Sequence, residues 1–160
     1  MPAVAKTEVY LGLGANLANP RAQLERAMTT LAGLLTGFRV SPLYRSRPVG
    51  PVDQPDFINA VVCGDTALSP EDLLTACQAI EAEHGRTRTL HWGPRTLDID
   101  ILYYGDRQIS TPRLQIPHPE AVHRGFVMIP LLDLRPKGNT PLGDPIERSR
   151  YDGDGLERLA

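Results

Sequence analysis

The sequence predicts an α+β protein in which helices cover a mainly antiparallel sheet. Strand-like stretches alternate with stretches whose apolar residues recur every three to four positions, in the order β-α-β-β-α-β. That order is typical of a ferredoxin-like, split βαβ unit, whose helices lie on one face of the sheet. The 160 residues are 41% apolar and 22% charged, which is ordinary for one globular domain.

In the first half of the chain, local signals mark two strands and a helix. Residues 7–16 (TEVYLGLGAN) predict a buried strand. A helix is expected over 19–35, because Asn19 is a good N-cap and a proline follows it. Residues 38–47 (FRVSPLYRSR) predict an edge or bulged strand, since Pro42 has no N–H to donate to a ladder.

The second half repeats this arrangement between two loops. Prolines and a glycine indicate a loop at 47–56, and residues 57–68 predict a second long strand. A helix is expected over 69–85, opened by Ser-Pro and closed by glycine. A second loop at 86–95 then leads into the fourth strand, within 92–105 (WGPRTLDIDILYYG).

The remaining chain predicts additions to this core. Residues 117–136 predict one or two short helices that close the other end of the sheet. We expect a single domain over 1–160, with a core at about 8–135 and a loop and marginal tail at 136–160.

Composition excludes several classes of function. A net charge of −2 and a pI of about 6.1 provide no global field for nucleic acid or anionic membrane. No run of eighteen apolar residues and no signal peptide is visible. Two cysteines in apolar patterns are too few for a disulfide framework and suit a reducing compartment. We therefore expect a cytoplasmic protein, with a monomer as the default.

Two aspartates on the fourth strand predict a metal site. Asp98 and Asp100 point to the same side, with Cα atoms about 6.5 Å apart. An isolated Asp-x-Asp is more often a solvated strand face, but Arg95 precedes this pair behind a Gly-Pro turn. Two carboxylates suit Mg²⁺, which keeps several waters and takes phosphate oxygens as further ligands. The combination favours a metal–phosphate site.

Arginines dominate the basic residues. The chain has fifteen arginines and two lysines, so a phosphate clamp must be built mainly from guanidinium groups, which bind oxyanions bidentately. No P-loop pattern is present. GLGANL at 12–17 lacks the third glycine of a dinucleotide fingerprint, and its glycines predict close strand packing. Six arginines lie within 39 residues around the aspartates: Arg86, Arg88, Arg95, Arg107, Arg113 and Arg124.

Two further clusters suit a flat heteroaromatic ligand bearing phosphate. Phe57 and Asn59 share a strand face, so they pair an aromatic plate with an amide that reads ring edges. In the segment IPHPEAVHRGF, His118 and Arg124 suit phosphate, and Phe126 suits a second plate. Taken singly, each is more often a core or surface residue.

Four segments in order closely resemble the 6-hydroxymethyl-7,8-dihydropterin pyrophosphokinase family of folate biosynthesis. They are RSRPVGPVDQPDFINAVV, LLTACQAIEAEHGR, GPRTLDIDILYYG and IPHPEAVHRGF, and the resemblance runs from about residue 8 to 135. It implies an α/β sandwich containing the ferredoxin-like unit. It also implies transfer of pyrophosphate from ATP to the hydroxymethyl oxygen of 6-hydroxymethyl-7,8-dihydropterin, with release of AMP.

Position by position, the resemblance implies that Asp98 and Asp100 hold two Mg²⁺ ions bridging the triphosphate. The implied catalytic residues are Arg86, Arg88, Arg95, Asp98, Asp100 and Arg124. The implied ATP-binding residues are Gln78, Glu81, Arg88, Trp92, Arg95, Ile101, Arg113, His118 and Arg124. The implied pterin-binding residues are Ser46, Arg47, Val49, Phe57, Asn59 and Phe126.

The chain departs from the family pattern at a few positions. Thr89 stands where a lysine is familiar, in a loop one residue short, and Phe57 replaces a tyrosine. Gln115 and Pro119 stand where a threonine and a tyrosine are familiar, which affects local nucleotide contacts. Arg47 replaces a proline. None of these changes removes a proposed chemical role.

Two rival classes share parts of this pattern. A template-directed nucleotidyltransferase can carry two carboxylates on a ferredoxin-like sheet, but it needs a basic track for nucleic acid. An RNA-binding module shares the element order, but its aromatic signature is absent from the sequence. Pterin-dependent release of AMP separates the pyrophosphokinase from both.

Overall fold

A computed structural model describes residues 5–17, 19–48, 53–84 and 96–159. Within these ranges the chain forms α-helices (α), 3-10 helices (η) and strands (β). In chain order they are β1 Thr7–Ala15, α1 Pro20–Ala32, β2 Thr36–Val40, β3 Tyr44–Ser46, β4 Phe57–Thr66, α2 Pro70–Glu83, β5 Asp98–Tyr104, β6 Ile109–Ser110, β7 Gln115–Ile116, η1 Ala121–His123, α3 Gly125–Asp133, η2 Arg148–Asp154 and β8 Glu157–Arg158.

The main sheet has the order β5-β1-β4-β3-β8, and β2 also pairs with β4. Every pairing is antiparallel. The predicted mixture of helices with a mainly antiparallel sheet is therefore confirmed. The strand predicted over 38–47 is two strands, β2 and β3, which pair with successive parts of β4. The break contains Pro42, which cannot donate to the ladder.

The helices α1 and α2 cover one face of the sheet. Both begin as predicted: Asn19 accepts from the N–H of Ala22 at 3.4 Å, and Ser69 accepts from the N–H of Asp72 at 3.2 Å. Their buried stripes pack against every second residue of β1, β4 and β5. No helix in the described ranges is both long and apolar enough to traverse a bilayer.

The helices η1 and α3 cover the opposite face of the sheet. Tyr10, Val61 and Leu102 from the strands join Val127 and Leu131 of α3 in a second buried cluster. The C-terminal helices therefore form a further layer, whereas the sequence pattern predicted only closure of one end. Every residue of α3 except Asp133 is apolar or glycine, so this helix is buried on almost every side.

Residues 136–145 form turns and one isolated bridge, as expected of a loop, whereas residues 146–159 fold against this layer, which corrects the expectation of a marginal tail. Strand β8 pairs with β3, and the N–H of Leu159 donates to the carbonyl of Leu43 at 2.9 Å. Ile146 and Tyr151 are buried in the second cluster. Two scattered apolar residues and a two-residue strand produce no periodic signal, so their burial depends on a surface formed by distant residues.

A buried histidine links the two helices of the first face. Nδ1 of His84 is hydrogen-bonded to Oε1 of Gln23 on α1. Burial, and then the nearby cation of Arg26, lower the pKa of His84 below its ordinary value, while Glu83 opposes the shift. The folded state thus takes up the proton less readily than the unfolded chain.

We therefore expect the free energy of unfolding to fall as pH decreases below about 6.5, the ordinary pKa of histidine, and to level off above it. Urea unfolding between pH 5 and 8 measures this dependence. The His84→Gln variant should lose less stability over that range than the wild type, whereas His123→Gln, at an exposed position, should follow the wild type. An unchanged pH dependence in His84→Gln would contradict the assignment.

Candidate active site

Strand β5 directs its two aspartates to the face that carries α3. Asp98 and Asp100 are half-buried there, whereas Ile99 and Ile101 point into the α1–α2 core. Across the sheet, Asp98 pairs with Gly14 and Asp100 pairs with Gly12. The carboxylates therefore share one face, and the neighbouring positions on β1 carry no side chain that would cover them.

A row of residues across three strands joins the acidic pair to Asn59. Gly14 pairs with Asp98 on one side and with Asn59 on the other. Directly paired residues point to the same face, so both side chains flank the bare backbone of Gly14. Their Cα atoms are two interstrand spacings apart, or about 10 Å. The backbone of Gly14, with no side chain above it, therefore separates the carboxylate of Asp98 from the amide of Asn59.

The amide of Asn59 is held in one orientation. Asn59 is only 5% exposed, and the hydroxyl of Ser46 donates to its Oδ1 at 2.5 Å. Its Nδ2 lies over Gly14, only 2.9 Å from where a Cβ at that position would stand. Phe57 is two residues away on the same face and partly exposed. The structure thus brings together the predicted plate and amide.

The opposite wall comes from η1 and the start of α3. The guanidinium of Arg124 lies over the ring of Phe126, 5.5 Å from its centroid. Such stacking keeps the cation at the pocket and orients the ring. Both residues reach the wall because Arg124 immediately precedes the first turn of α3.

His118 precedes η1 in the chain, and a backbone contact defines its tautomer. The backbone N–H of Glu120 donates to its Nδ1 at 3.2 Å, so the neutral ring carries its proton on Nε2. Burial, and then the cation of Arg124, lower the pKa of His118, while Asp98 and Glu120 oppose the shift. Both effects favour the neutral imidazole, whose Nε2–H is available as a donor.

The two walls enclose a cavity of about 330 Å³ between the sheet and α3, here called the sheet–α3 cavity. Its size suits one small organic ligand. Asp98 and Asp100 line it, together with the predicted residues Ser46, Arg47, Phe57, Asn59, Arg124 and Phe126. Further lining residues that sequence reasoning did not select include Gly12, Gly14, Leu102, Glu120, His123 and Val127.

His118 is not among the lining residues, and four other predicted nucleotide residues lie outside the cavity on the α2 side of β5. The guanidinium of Arg113 donates to Oε1 of Gln78 at 3.3 Å and pairs with Glu71 at 3.1 Å. Glu81 is buried, and its Oε2 accepts from the N–H of Ile99 at 2.9 Å. Ile101 belongs to the core. The sequence thus predicted two groups of residues, which strand β5 separates.

Several predicted residues lie outside the described ranges, so their roles stay predictions. They are Val49, Arg86, Arg88, Trp92 and Arg95, together with the departure at Thr89.

The acidic pair fits a divalent cation that a phosphate ligand also coordinates. Among the described residues, no three His, Cys, Asp or Glu side chains are grouped to hold a metal ion. Asp98 and Asp100 offer two carboxylates on the same strand face of the cavity. That donor set suits Mg²⁺, which uses one or two carboxylates and takes its other ligands from water and phosphate.

The fold and the cavity define a small-molecule-binding α+β protein with carboxylates and an arginine at one site. Residues 10–136 match the family model described as 7,8-dihydro-6-hydroxymethylpterin-pyrophosphokinase (HPPK). The chain belongs to this family. The family predicted from the sequence and its reaction, pyrophosphate transfer from ATP to the hydroxymethyl pterin, are confirmed.

Individual relatives agree with this family. A Pseudomonas aeruginosa 2-amino-4-hydroxy-6-hydroxymethyldihydropteridine pyrophosphokinase is 48% identical over 155 residues, covering 94% of this chain and 96% of the relative. A Methylorubrum extorquens protein of the same name is 42% identical, covering 96% and 99%.

Solved structures agree on the fold. A crystal structure of wild-type Plasmodium falciparum HPPK-DHPS with pteroate has a TM-score of 0.71 at 16% identity, and the match covers 95% of this chain and 43% of that one. The present chain thus spans less than half of that longer protein, and the likeness concerns the fold alone.

Proposed function

We propose that the transfer of pyrophosphate from ATP to 6-hydroxymethyl-7,8-dihydropterin takes place within the sheet–α3 cavity, with Mg²⁺ held by Asp98 and Asp100. One observation supports this location of the reaction: across three neighbouring strands, Gly14 lies between Asp98 and Asn59. A flat ring held at Asn59 and extending over the glycine brings its substituent to the carboxylates. The acceptor hydroxyl and the triphosphate then meet over the same strands.

The pterin is bound by stacking and by edge recognition. Phe57 and Phe126 line the cavity from opposite walls, so the ring lies between them. Asn59 presents its amide to the ring edge, and Ser46 fixes which end of the amide faces the ligand. Buried polar groups that match a ligand discriminate strongly against analogues that lack its hydrogen-bonding groups.

The triphosphate lies against Asp98 and Asp100 and extends across β5 toward Gln78 and Arg113. Bound Mg²⁺ would neutralise phosphate charge and align the triphosphate with the acceptor. Arg124 contributes a guanidinium to the phosphates, and His118 contributes the N–H at Nε2. Both donors are fixed before substrate arrives, so they stabilise developing charge without reorganisation.

The reaction is a displacement at the β-phosphorus. The hydroxymethyl oxygen forms a bond to that phosphorus, the bond to the bridging oxygen of AMP breaks, and AMP leaves with the electron pair. The hydroxyl proton is released. Such transfers depend on alignment and charge neutralisation more than on covalent participation by the protein.

The decisive assay is AMP release from ATP. We expect release to require both 6-hydroxymethyl-7,8-dihydropterin and Mg²⁺, and to stop when EDTA removes the metal. ATP without pterin is the control for hydrolysis. Release of ADP, or AMP release that does not depend on pterin, would contradict the proposed reaction, and activity in EDTA would contradict the metal.

A glycine substitution tests the placement of the pterin. In Gly14→Ala, the new Cβ would stand 2.9 Å from Nδ2 of Asn59, so the amide must move. We expect pterin affinity to fall about tenfold, the equivalent of one hydrogen bond at the ring edge. Calorimetric titration of pterin measures this change.

Gly12→Ala is the matched comparison on the same strand face. The three atoms nearest to its Cβ would all belong to the side chain of Leu102, the closest at 3.4 Å. It should therefore weaken pterin binding less than Gly14→Ala does. Equal losses in the two variants would mean that filling the cavity floor, and not displacing Asn59, controls affinity.

A further inference from the structure

The first turn of α3 obtains its capping group from the far end of the chain. Arg124 occupies the N-cap position, but its side chain makes no capping hydrogen bond. Instead, Oδ2 of Asp154, the last residue of η2, accepts from the N–H of Gly125 at 2.9 Å. A carboxylate also interacts favourably with the helix N-terminus. The cap is supplied from 29 residues downstream.

Gly125 leaves the space that this contact requires. A Cβ at Gly125 would collide with Oδ2 of Asp154 and would stand 2.8 Å from a methyl group of Leu156. Both atoms belong to side chains of the C-terminal arm, which we define as residues 147–159. Close approach of the arm to α3 therefore depends on glycine at this position.

The arm contacts both walls of the sheet–α3 cavity. On one side, the buried Tyr151 donates its hydroxyl to the carbonyl of Val122 in η1 at 2.6 Å. On the other side, β8 pairs with β3, the strand that ends at Ser46, and Glu157 forms an ion pair with Arg45 at 3.2 Å. The arm thus spans the wall bearing Phe126 and the wall bearing Ser46.

We propose that Asp154 is a positioning residue for the reaction: through Gly125 it holds Arg124 and Phe126 in place against the substrates. Arg124 and Phe126 flank Gly125 in the sequence, so a shift of that N–H moves both side chains together. The inference rests on the proposed function, which gives these two residues phosphate and pterin to bind. Asp154 does not line the cavity and acts only through the helix start.

Asp154→Ala, compared with Asp152→Ala, tests the proposal. Asp152 is an exposed aspartate of the same η2 helix, and the hydrogen bond to Gly125 is made by Asp154 and not by Asp152. Removing the cap should weaken pterin binding about five- to tenfold and lower kcat, measured well below the melting temperature. Asp152→Ala should match the wild type. Asp154→Asn retains an oxygen acceptor and should restore most of the affinity, which a general loss of stability would not predict.

A double-mutant cycle separates this role from a general effect on folding. Gly125→Ala displaces the Asp154 carboxylate, so it should weaken pterin binding as Asp154→Ala does. The double variant should be no weaker than Gly125→Ala, to within about twofold, because Gly125→Ala already displaces the Asp154 carboxylate. Additive losses would overturn the proposal. So would an Asp154→Ala variant that binds pterin like Asp152→Ala, or an Asp154→Asn variant no better than Asp154→Ala.

The result that would contradict the proposed function differs from the results that would overturn the role of Asp154. If the wild-type protein releases no pterin-dependent AMP, the assignment of the reaction is wrong. If the wild type is active and the Asp154 variants are indistinguishable from it, only the positioning role is wrong.

Discussion

Replacing Asp98 or Asp100 with asparagine is expected to lower turnover by a factor of about 1000 or more, without loss of the fold. Asparagine has the same shape but cannot supply the negative oxygen that a hard cation requires. Losing a metal carboxylate removes several kcal/mol of transition-state stabilisation, and about 4 kcal/mol corresponds to a factor of roughly 1000. The measurement is AMP release at saturating ATP, pterin and Mg²⁺.

The control is Asp106→Asn, in the exposed turn that follows β5. It makes the same chemical change close to the strand but away from the cavity, so its turnover should equal that of the wild type. Circular dichroism and thermal melting establish that each variant is folded. A folded Asp98→Asn or Asp100→Asn enzyme with near-normal turnover at saturating Mg²⁺ would contradict the metal assignment.

Helices and long strands were predictable because their signals are local. Asn19 and Ser69 cap the helices where the sequence places them. The alternation of Asp98 and Asp100 with Ile99 and Ile101 predicts which side chains face the cavity and which face the core. Pro42 predicted an edge or bulged strand, and the structure goes further by dividing this stretch into β2 and β3 around the proline, which has no N–H to donate.

The roles of the glycines were not predictable from local signals. Gly14 separates Asp98 from Asn59 only because of the registers that β1 forms with β4 and β5. Register depends on which faces are buried in the whole sheet, and a shift of one residue would turn Gly14 away from α3 and toward the α1–α2 core. The period-two alternation of Gly12 and Gly14 was the available signal, and it became informative only once β1 was placed beside the aspartates.

The small elements of the C-terminal half were missed for a related reason. The hairpin of β6 and β7 has two residues in each strand, too few to show a period. The C-terminal arm contacts η1 through one buried residue, Tyr151. The burial of Tyr151 depends on residues that are distant in the sequence. Locally, the sequence shows only one aromatic residue among polar neighbours, which does not predict burial.

A second large effect, on pterin affinity, is expected from replacing Asn59, whose amide faces the edge of the pterin ring in the proposed complex. Asn59→Leu keeps a similar volume but removes both the donors and the acceptor. We expect pterin affinity to fall roughly 100- to 1000-fold, because each ligand group left without a partner in a buried site costs about 1–3 kcal/mol. Calorimetric titration measures this change. In the same variant, affinity for a non-hydrolysable ATP analogue with Mg²⁺, titrated without pterin, should stay within about threefold of the wild type.

Ser46→Ala provides a graded companion to this change. It retains Asn59 but removes the hydroxyl that donates to Oδ1 at 2.5 Å, so the amide is no longer held in one orientation. Its effect on pterin affinity should be several-fold, well below that of Asn59→Leu, because the amide can still reach the ring. If Asn59→Leu weakened pterin and nucleotide equally, its effect would reflect a disturbed sheet, and edge recognition by Asn59 would be wrong. If it weakened pterin alone, with Ser46→Ala intermediate, the amide and the hydroxyl that orients it would together account for selection of the acceptor.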